Sequence, residues 1–375
     1  MGASARAAAY SAVRAGFSVR TADMFADVDL ALLCPATRVA DYPADLATVL
    51  AAQHAGKWLY TGALENHPSL IDECARLRPL LGNVGDVVRR VRNPLVLAEI
   101  LRHAGLLTPA VGRDPQALDP DLTWLCKPLA SAGGSNVQVW KPNDAAGLGP
   151  GRCYFQQAIA GTPCSAVYVA AQGRAVLLGM TSQLVGLPWT GASGYQYCGS
   201  IGPLPASAEV AEQFVAIGSV LARQCDLVGL FGVDAIVNAA GVWPVEINPR
   251  FTASIEILER AHHFSAIALH VAACEKGDLP TIDQPRVPDW HGKAILFATA
   301  PLVVSQAMSD LADEAAGNIW PMAADIPQPG SSIEAGWPIV TVFATGTDDR
   351  SVLAKLEALS DSIRSLAGGR LSARR

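Results

Sequence analysis

The sequence lacks features that mark several large classes of protein. No uninterrupted apolar run approaches the roughly 20 residues that a membrane-spanning helix needs, because Arg, Asp, Gly or Pro interrupts every candidate stretch. The cysteines never form a CxxC pair, and no cluster of basic residues occurs. These absences argue against a membrane protein, a CxxC-type zinc or redox site, and a protein whose main partner is nucleic acid.

Charge is scarce as well, since only 17% of the 375 residues are charged and the formal net charge is −6. Hydrophobic residues make up 50%, which is typical of a folded chain, and the length predicts two or three subdomains. The eight scattered cysteines indicate small buried residues in a reducing compartment, so we expect a cytoplasmic protein. The Ala-rich start has helical spacing and no signal-peptide core, so we expect no targeting segment.

Residues 1–92 alternate between helical and strand-like patterns, which predicts an amino-terminal α/β domain with a parallel, Rossmann-like sheet. The predicted helices are 2–16, 44–54 and 68–79, and the predicted strands are 18–23, 30–34 and 57–62. The segment GASARAAA at 2–9 has the composition that normally follows a first sheet strand. We therefore expect that first strand to be missing from the chain.

The rest of the chain predicts an antiparallel α+β region followed by a small α+β unit, because short strands are joined by Gly-rich turns. The predicted strands are 122–128, 135–140, 153–158, 164–170, 175–181, 227–237, 242–248, 293–298 and 338–345. The predicted helices are 93–106, 208–224, 253–260, 264–275 and 351–366, with a Gly-rich loop at 186–203. Three prolines between 280 and 288 indicate a boundary before the last unit.

The last two long strands before that boundary form a hairpin with an acidic face. With Ala240 at the centre of the turn, Asp234 lies opposite Glu246, and Asn248 shares their face because side chains alternate along a strand. Facing carboxylates repel each other unless a cation joins them, and Mg²⁺ (or Mn²⁺) accepts oxygen ligands of these types. Arg250, farther along the same face, would place a planar cation beside phosphate groups.

The alternative is a solvated hairpin whose acids simply face water. Both strands are otherwise apolar, which indicates a buried sheet, and unpaired carboxylates in such a sheet would be costly. This context favours the metal site.

A second candidate feature is a strand bearing Lys127 that leads into a loop containing Gly133 and Gly134, flanked by Ser131 and Ser135. The backbone N–H groups of such a loop can surround a triphosphate, and the lysine can supply a positive charge. A glycine pair between strands is also typical of an ordinary hairpin turn. The phosphate-binding interpretation is favoured because this loop precedes the acidic hairpin in the chain.

These motifs occur in the order Lys127-Pro128 with its Gly-Gly loop, QQAIAG at 156–161, and GLFGVDAIV with PVEINPRF at 229–251. Together they resemble the ATP-grasp superfamily over roughly residues 90–275, most specifically at EINPR. The segments ADIPQPG (324–330) and GWPIVTVFATG (336–346) are similar to those of the biotin-carboxylase-like and purine-biosynthesis branches. The phrases YTGALENHP (60–68) and INPRFTASIEILERA (247–261) look closest to uncharacterised bacterial ATP-grasp proteins associated with tetrahydromethanopterin- and methanofuran-linked one-carbon metabolism.

The resemblance implies an ATP-grasp fold in three parts. A pre-ATP-grasp domain would span 1–92 and an ATP-grasp domain 93–285, with a small lid subdomain at about 107–160 and a large subdomain at 161–285. A carboxy-terminal α+β unit would span 286–375.

The resemblance also implies roles for individual residues. The implied metal ligands are Asp234, Glu246 and Asn248, and the implied catalytic residues are Arg250 and Lys127. The implied ATP contacts are Lys127, Ser131, Gly133, Gly134, Ser135, Phe155, Gln156, Gln157 and Ile159.

Three positions depart from the family pattern. Arg92 stands where the first grasp helix usually carries a lysine, so Arg92 substitutes for it or the contact is lost. Gln157 replaces an acid that is common in the linker beside adenine, and Cys164 lies where an acid for the ribose is expected. These departures put nucleotide affinity or base selectivity in doubt.

The resemblance implies a Mg²⁺- and ATP-dependent ligase that activates a carboxylate as an acyl phosphate and lets an amine displace the phosphate. Its partners would be small-molecule carboxylates and amines, with C1-carrier biosynthesis as a setting and a homodimer as the commonest assembly. One alternative is a carboxylase-type enzyme that activates bicarbonate. Another is a non-catalytic nucleotide-binding scaffold, motivated by the three departures.

Other polar and aromatic residues have less specific interpretations. His262-His263 lacks a third ligand at suitable spacing, so a surface or C-cap role is favoured over a metal site. Aromatic residues of the 186–203 loop either stack on a substrate or anchor the loop; they are Trp189, Tyr195 and Tyr197. Four polar residues either line an interdomain cleft or face water, namely Glu65, Asn66, Arg89 and Arg90.

Overall fold

The structure is a computed structural model that describes residues 1–53, 56–141, 151–281, 289–315, 318 and 320–367. The helices, α1 to α12 in chain order, are Arg6–Arg14, Val28–Leu33, Leu46–Ala51, Pro68–Leu77, Gly85–Val91, Pro94–His103, Ala208–Cys225, Ile255–His262, Ala266–Lys276, Gln306–Ser309, Leu311–Ala315 and Asp349–Ala367. The strands, β1 to β16, are Thr21–Asp23, Ala36–Arg38, Val111–Gly112, Trp124–Pro128, Gln138–Val139, Cys153–Gln157, Thr162–Ala171, Arg174–Val185, Tyr197–Gly202, Gly229–Asn238, Gly241–Asn248, Trp290–Phe297, Leu302–Val303, Ala323–Ala324, Ser332–Ile333 and Pro338–Gly346. Across these residues, no helix combines the length and the apolar composition that crossing a membrane requires.

The largest element is an eight-stranded antiparallel sheet in the order β11-β10-β7-β8-β9-β12-β16-β14. Successive residues of its central strand β7 enter different cores, since Tyr168 packs on the α7 side whereas Val167 and Val169 pack beside α8 and α9. The Tyr168 ring stacks on Phe231 of β10, with ring centroids 4.8 Å apart. Because β7 and the first half of β10 are buried on both faces, their sequences are largely apolar.

The predicted carboxy-terminal unit continues this sheet. Strand β12 pairs with β9, and β16 and β14 follow, so no gap in the sheet separates the two predicted units. The predicted boundary between 285 and 286 lies outside the described residues. Strand β9 falls within the predicted loop at 186–203, which is a correction. Its Gly199 lies against the Lys293 backbone, where a side chain would not fit, so the Gly-rich sequence hides a strand.

A smaller four-stranded sheet, in the order β3-β6-β4-β5, lies within the predicted lid. Its small core is formed by Trp124, Cys126, Cys153 and Phe155, with the ring of Trp140 centred 5.0 Å from that of Phe155. This core is separate from the two cores that flank the large sheet. The lid sheet is therefore its own packing unit above the hairpin of β10 and β11.

The amino-terminal segment contains the expected parallel pairing, between β1 and β2, and Gly2 forms a further parallel bridge to Asp23. Two predicted strands are wrong. Residues 30–34 fall largely in helix α2, because a five-residue apolar run cannot distinguish a strand from a buried helix turn. Residues 57–62 contribute only an isolated bridge, Trp58 to Leu80.

A buried ion-pair network joins α1, α8 and the strands near the carboxyl end. Arg6 of α1 donates to both Glu256 oxygens, at 2.7 and 3.0 Å, and to Asp325 at 2.8 Å. Asp29 lies 3.8 Å from the same guanidinium, and Lys293 lies 3.4 Å from Glu256. Buried ions of this kind depend on their partners, so the network fixes the relative position of these elements.

Candidate active site

A cavity of about 1080 Å³ lies where the amino-terminal segment, the lid sheet, the large sheet and the carboxy-terminal strands meet. A volume of that size can enclose a nucleotide together with a second small molecule. The cavity is built around the hairpin of β10 and β11, which forms one edge of the large sheet.

The hairpin brings Asp234 and Glu246 directly opposite each other, as the sequence predicts. The turn is tighter than expected, since Ala239 and Ala240 alone connect the paired residues Asn238 and Gly241. A register shift after Asp234 leaves Val245 as an extra residue on β11 and restores the predicted pairing.

Asp234 accepts hydrogen bonds from two amide side chains. Gln183 of β8 donates to Oδ1 at 2.9 Å, and Asn248 of β11 donates to Oδ2 at 3.0 Å. Ser165 of β7 is paired with Asp234 across the two strands and also lines the cavity. Burial raises the pKa of Asp234 to about 6, and the facing Glu246 adds to this increase. Hydrogen bonds from β8 and β11 thus hold the side chain in place.

Glu246 is paired with Arg92, which precedes α6. Burial alone would raise the pKa of Glu246, but Arg92, and after it Lys127 and Arg250, lowers it. The two facing acids therefore differ, because Glu246 is surrounded by three cations. Arg92 therefore lies at the cavity, beside one of the two facing acids.

Arg250 follows β11 and lies in the cavity wall, with 13% of its side chain exposed. It donates to Glu65 at 2.6 and 3.0 Å, and to the Asn248 side-chain oxygen at 3.1 Å. Glu65 is itself 3% exposed, and its second oxygen has no hydrogen-bond partner among the described residues. The amino-terminal segment thus supplies the acid that orients the guanidinium.

Lys127 of β4 lies on the lid side of the cavity. Its Nζ donates to Gln156 Oε1 at 3.0 Å, and Gln156 Nε2 donates at 3.1 Å to the carbonyl of the bulged residue Val245. A chain of two hydrogen bonds therefore connects the lysine to the hairpin of β10 and β11. Gln157 and Ile159 also line the cavity.

The loop after Lys127 lies over the cavity and meets the segment before β9. Gly133 and Gly134 both have positive φ, and the Gly133 carbonyl accepts the Tyr197 N–H at 2.9 Å. A Cβ atom at Gly134 would overlap the Tyr195 carbonyl oxygen, so this position requires glycine. Ser131 lines the cavity, and its carbonyl accepts a bond from Asn66 at 3.2 Å.

Three residues singled out from the sequence do not line the cavity. Phe155 lies in the lid core, because Tyr154 and Gln156 on either side of it face the cavity. Ser135 is exposed at the turn after the glycines. Cys164 is buried on β7, where burial raises the pKa of its thiol to about 11, and its neighbour Ser165 takes the cavity side.

The less specific candidates divide between the site and the scaffold. Glu65, Asn66, Tyr195 and Tyr197 lie in or beside the cavity, whereas Trp189 packs on the carboxy-terminal core. Surface ion pairs engage Arg89 and Arg90. His263 ends α8 in a left-handed conformation, and no group of three or more His, Cys, Asp and Glu placed to hold a metal occurs in the described part of the chain.

Sequence reasoning missed Gln183 and Ser165, which contact Asp234. Each is a polar residue within an apolar strand, and each lies on the strand face that points to the cavity. A polar residue in an apolar strand can therefore be recognised from the sequence, but the sequence does not show which acid that residue lies beside. The pairing of strands β7, β8 and β10 decides that.

A family model described as an ATP-grasp domain matches residues 91–254, the segment that runs from the end of α5 through the hairpin of β10 and β11 to the residue before α8. The chain carries an ATP-grasp domain. No curated protein matches the sequence.

Solved structures of low sequence identity share the fold of this protein over most of its length. The biotin carboxylase domain dimer of a Hydrogenobacter thermophilus 2-oxoglutarate carboxylase superposes with a TM-score of 0.70 at 11% identity, covering 94% of this chain and 86% of that one. An N5-carboxyaminoimidazole ribonucleotide synthetase from Thermus thermophilus gives 0.67 at 14%, covering 100% and 99%. An L-amino acid ligase from Bacillus licheniformis gives 0.66 at 13%, covering 94% and 93%. The predicted ATP-grasp fold is confirmed.

Proposed function

We propose that this ATP-grasp protein is a Mg²⁺- and ATP-dependent ligase that joins a carboxylate to an amine through an acyl phosphate. The observation that carries the proposal is the facing pair of Asp234 and Glu246 inside a cavity that also receives Lys127, Arg92 and Arg250. Two acids and three cations around one cavity suit a metal–triphosphate complex, in which both signs of charge are present.

The residues present fit a divalent cation. Asp234, Glu246 and the Asn248 side-chain oxygen offer three oxygen ligands on one hairpin, and burial makes the charges of two adjacent carboxylates costly unless a cation compensates them. When bound, Mg²⁺ would neutralise phosphate charge and polarise the transferred phosphoryl group. The hydrogen bond from Gln183 holds Asp234 in place for this role.

The proposed reaction has two steps. A substrate carboxylate oxygen attacks the γ-phosphorus of ATP, the bond to the bridging oxygen breaks, and ADP leaves with an acyl phosphate in place. The amine nitrogen then attacks the acyl carbon, loses a proton, and displaces inorganic phosphate to give an amide. Arg250 and Lys127 stabilise the negative charge on the transferring and leaving phosphoryl groups by fixed electrostatics.

The test is a panel of carboxylates and amines incubated with the full-length protein, ATP and MgCl₂. ADP and phosphate should accumulate only when a productive carboxylate is present, and amide should accumulate only when the amine is added. Release of AMP and pyrophosphate would contradict the acyl-phosphate route.

A matched pair of variants separates the metal site from general effects. Glu246→Gln removes one ligand charge while leaving an oxygen for Arg92, so turnover should fall by about 10²-fold or more with the fold intact. Glu212→Gln makes the same change on the exposed face of α7 and should leave turnover unchanged. Equal activity of both variants would place the metal elsewhere.

The same assay addresses the other candidates. Bicarbonate-dependent ATP hydrolysis without an amine would favour a carboxylase-type enzyme, and ATP binding without turnover would favour a scaffold. The position of Arg92 beside Glu246 supports an active site over a scaffold, because the cation expected from a lysine is supplied by another residue. A role in C1-carrier biosynthesis and a homodimeric state stay predictions.

A further inference from the structure

Asp27 is a buried acidic residue whose side chain forms no hydrogen bond or ion pair with the described part of the protein. It is 7% exposed and lines the cavity. Although it occupies the N-cap position of α2, its side chain accepts no capping bond. The N–H of Val28 donates to the Ile326 carbonyl at 2.8 Å. The Asp27 oxygens are not among the fully buried side-chain atoms that lack a partner, so they keep some accessible surface on the cavity side, where a ligand can pair with them.

The surroundings of Asp27 are acidic. Burial raises its pKa well above the ordinary value, and Asp325, Asp29 and Asp23 raise it further, while Arg6 opposes them. The Arg6 guanidinium is already bonded to other acids of the buried ion-pair network. Burial and the neighbouring acids both disfavour the charged form of Asp27, and a cationic ligand beside its carboxylate would offset both effects.

Asp325 faces the same cavity from the carboxy-terminal strands. Its Oδ1 accepts a bond from Arg6, and its Oδ2 accepts one from the Thr341 hydroxyl at 2.6 Å. The side chain remains 28% exposed, so its oxygens keep free acceptor positions on the cavity side. Asp27 and Asp325 belong to different units of the chain, and the space between these units is where a substrate can bind.

An aromatic pair forms the apolar wall next to these acids. Phe25, two residues before Asp27, meets Trp337 edge to face with ring centroids 6.4 Å apart, and both line the cavity. The Trp337 side chain is 45% exposed, so its ring is available to a ligand. Carboxylates beside aromatic faces match an ammonium group carried on an apolar skeleton.

We propose that Asp27 and Asp325 bind the protonated amino group of a substrate, with Phe25 and Trp337 against its carbon skeleton. The assignment rests on the ligase proposed above, which needs an amine. An ammonium group has three donors, which two carboxylates can accept.

Calorimetric titration of the full-length protein tests the assignment with defined probes. The probes are phenethylamine, phenylalanine, 2-phenylethanol and 3-phenylpropionate, each added with and without a non-hydrolysable ATP analogue and MgCl₂. Phenylalanine is included because Arg38, which lines the same cavity, can receive its carboxylate. The stronger of the two ammonium probes identifies whether the amino group belongs to a simple amine or to an amino acid.

Both ammonium probes should bind wild-type protein more tightly than the alcohol and the carboxylate. Asp27→Asn should weaken the ammonium probes by about tenfold or more and leave the alcohol unaffected. Asp226→Asn removes an exposed acid on the surface and serves as the control. Equal binding of amine and alcohol by the wild type overturns the assignment without any variant, as does unchanged amine binding by Asp27→Asn. Failure of the ATP analogue to bind would instead refute the proposed ligase, and the ammonium titration without nucleotide stands independently of it.

Discussion

The strand that carries Asp234 begins against a buried histidine, which makes the stability of the fold sensitive to acid. His270 of α9 is 4% exposed, and its Nδ1 accepts the Leu230 N–H at 2.8 Å. Its Nε2 lies 3.1 Å from the Leu81 carbonyl, so the neutral ring donates there. Protonation would place a hydrogen on Nδ1 facing the Leu230 N–H, and one bond would become a repulsion.

Burial lowers the pKa of His270 from 6.5 to about 4, and the bond to Leu81 opposes this only in part. The unfolded chain therefore takes up a proton before the folded protein does. The stabilising effect is present above pH 6.5 and is lost as the pH falls toward 4. Linkage gives about 3 kcal/mol for the complete change, of which about 2 kcal/mol is lost between pH 7 and pH 5.

Urea unfolding followed by tryptophan fluorescence at pH 7, 6 and 5 measures this effect. His270→Asn removes the titrating ring and keeps an acceptor for the Leu230 N–H, so its free energy of unfolding should fall by about 2 kcal/mol less than that of the wild type over this range. The exposed His103→Asn should follow the wild type. Parallel pH profiles for wild type and His270→Asn would refute the reasoning.

Two further predictions concern the lid. Lys127→Met keeps the length of the side chain but removes its charge, so the KM for ATP should rise about tenfold in steady-state kinetics. The control Lys276→Met, at an exposed position at the end of α9, should not change that KM. Gly134→Ala should abolish most turnover, because the added Cβ would overlap the Tyr195 carbonyl. At Gly133 the added Cβ meets open space, so Gly133→Ala should keep most turnover and lower the free energy of unfolding by only about 1 kcal/mol through backbone strain. Equal turnover of the two glycine variants would show that the loop does not need its contact with Tyr195.

The hairpin shows how far local pattern can predict a site. Alternation and a turn near Ala240 were enough to place Asp234 opposite Glu246. The observed turn contains one residue fewer than the turn predicted around Ala240. The unpaired residue Val245 in β11 compensates, so Asp234 still pairs with Glu246. Periodicity reports which face a side chain occupies, but an extra residue in a strand leaves no mark on that pattern.

Contacts between distant segments could not be predicted in this way. Arg92 reaches Glu246 across 154 residues, and the sequence offered only the alternatives of substitution or loss. The sequence does not predict that Asp27 and Asp325 share a cavity, because each is an ordinary acid in its own segment. Their meaning comes from burial against the other segment, which only the packing of α2 on the carboxy-terminal strands produces.

The ion pairs of Arg6 also affect the order in which the chain can complete its fold during synthesis. Its two main partners, Glu256 and Asp325, lie 250 and 319 residues farther along. A ribosome releases α1 long before either partner exists, and a guanidinium cannot be buried cheaply without them. The first helix to be made is therefore among the last elements to reach its final contacts, and a nascent chain that ends before Asp325 keeps that helix unfinished.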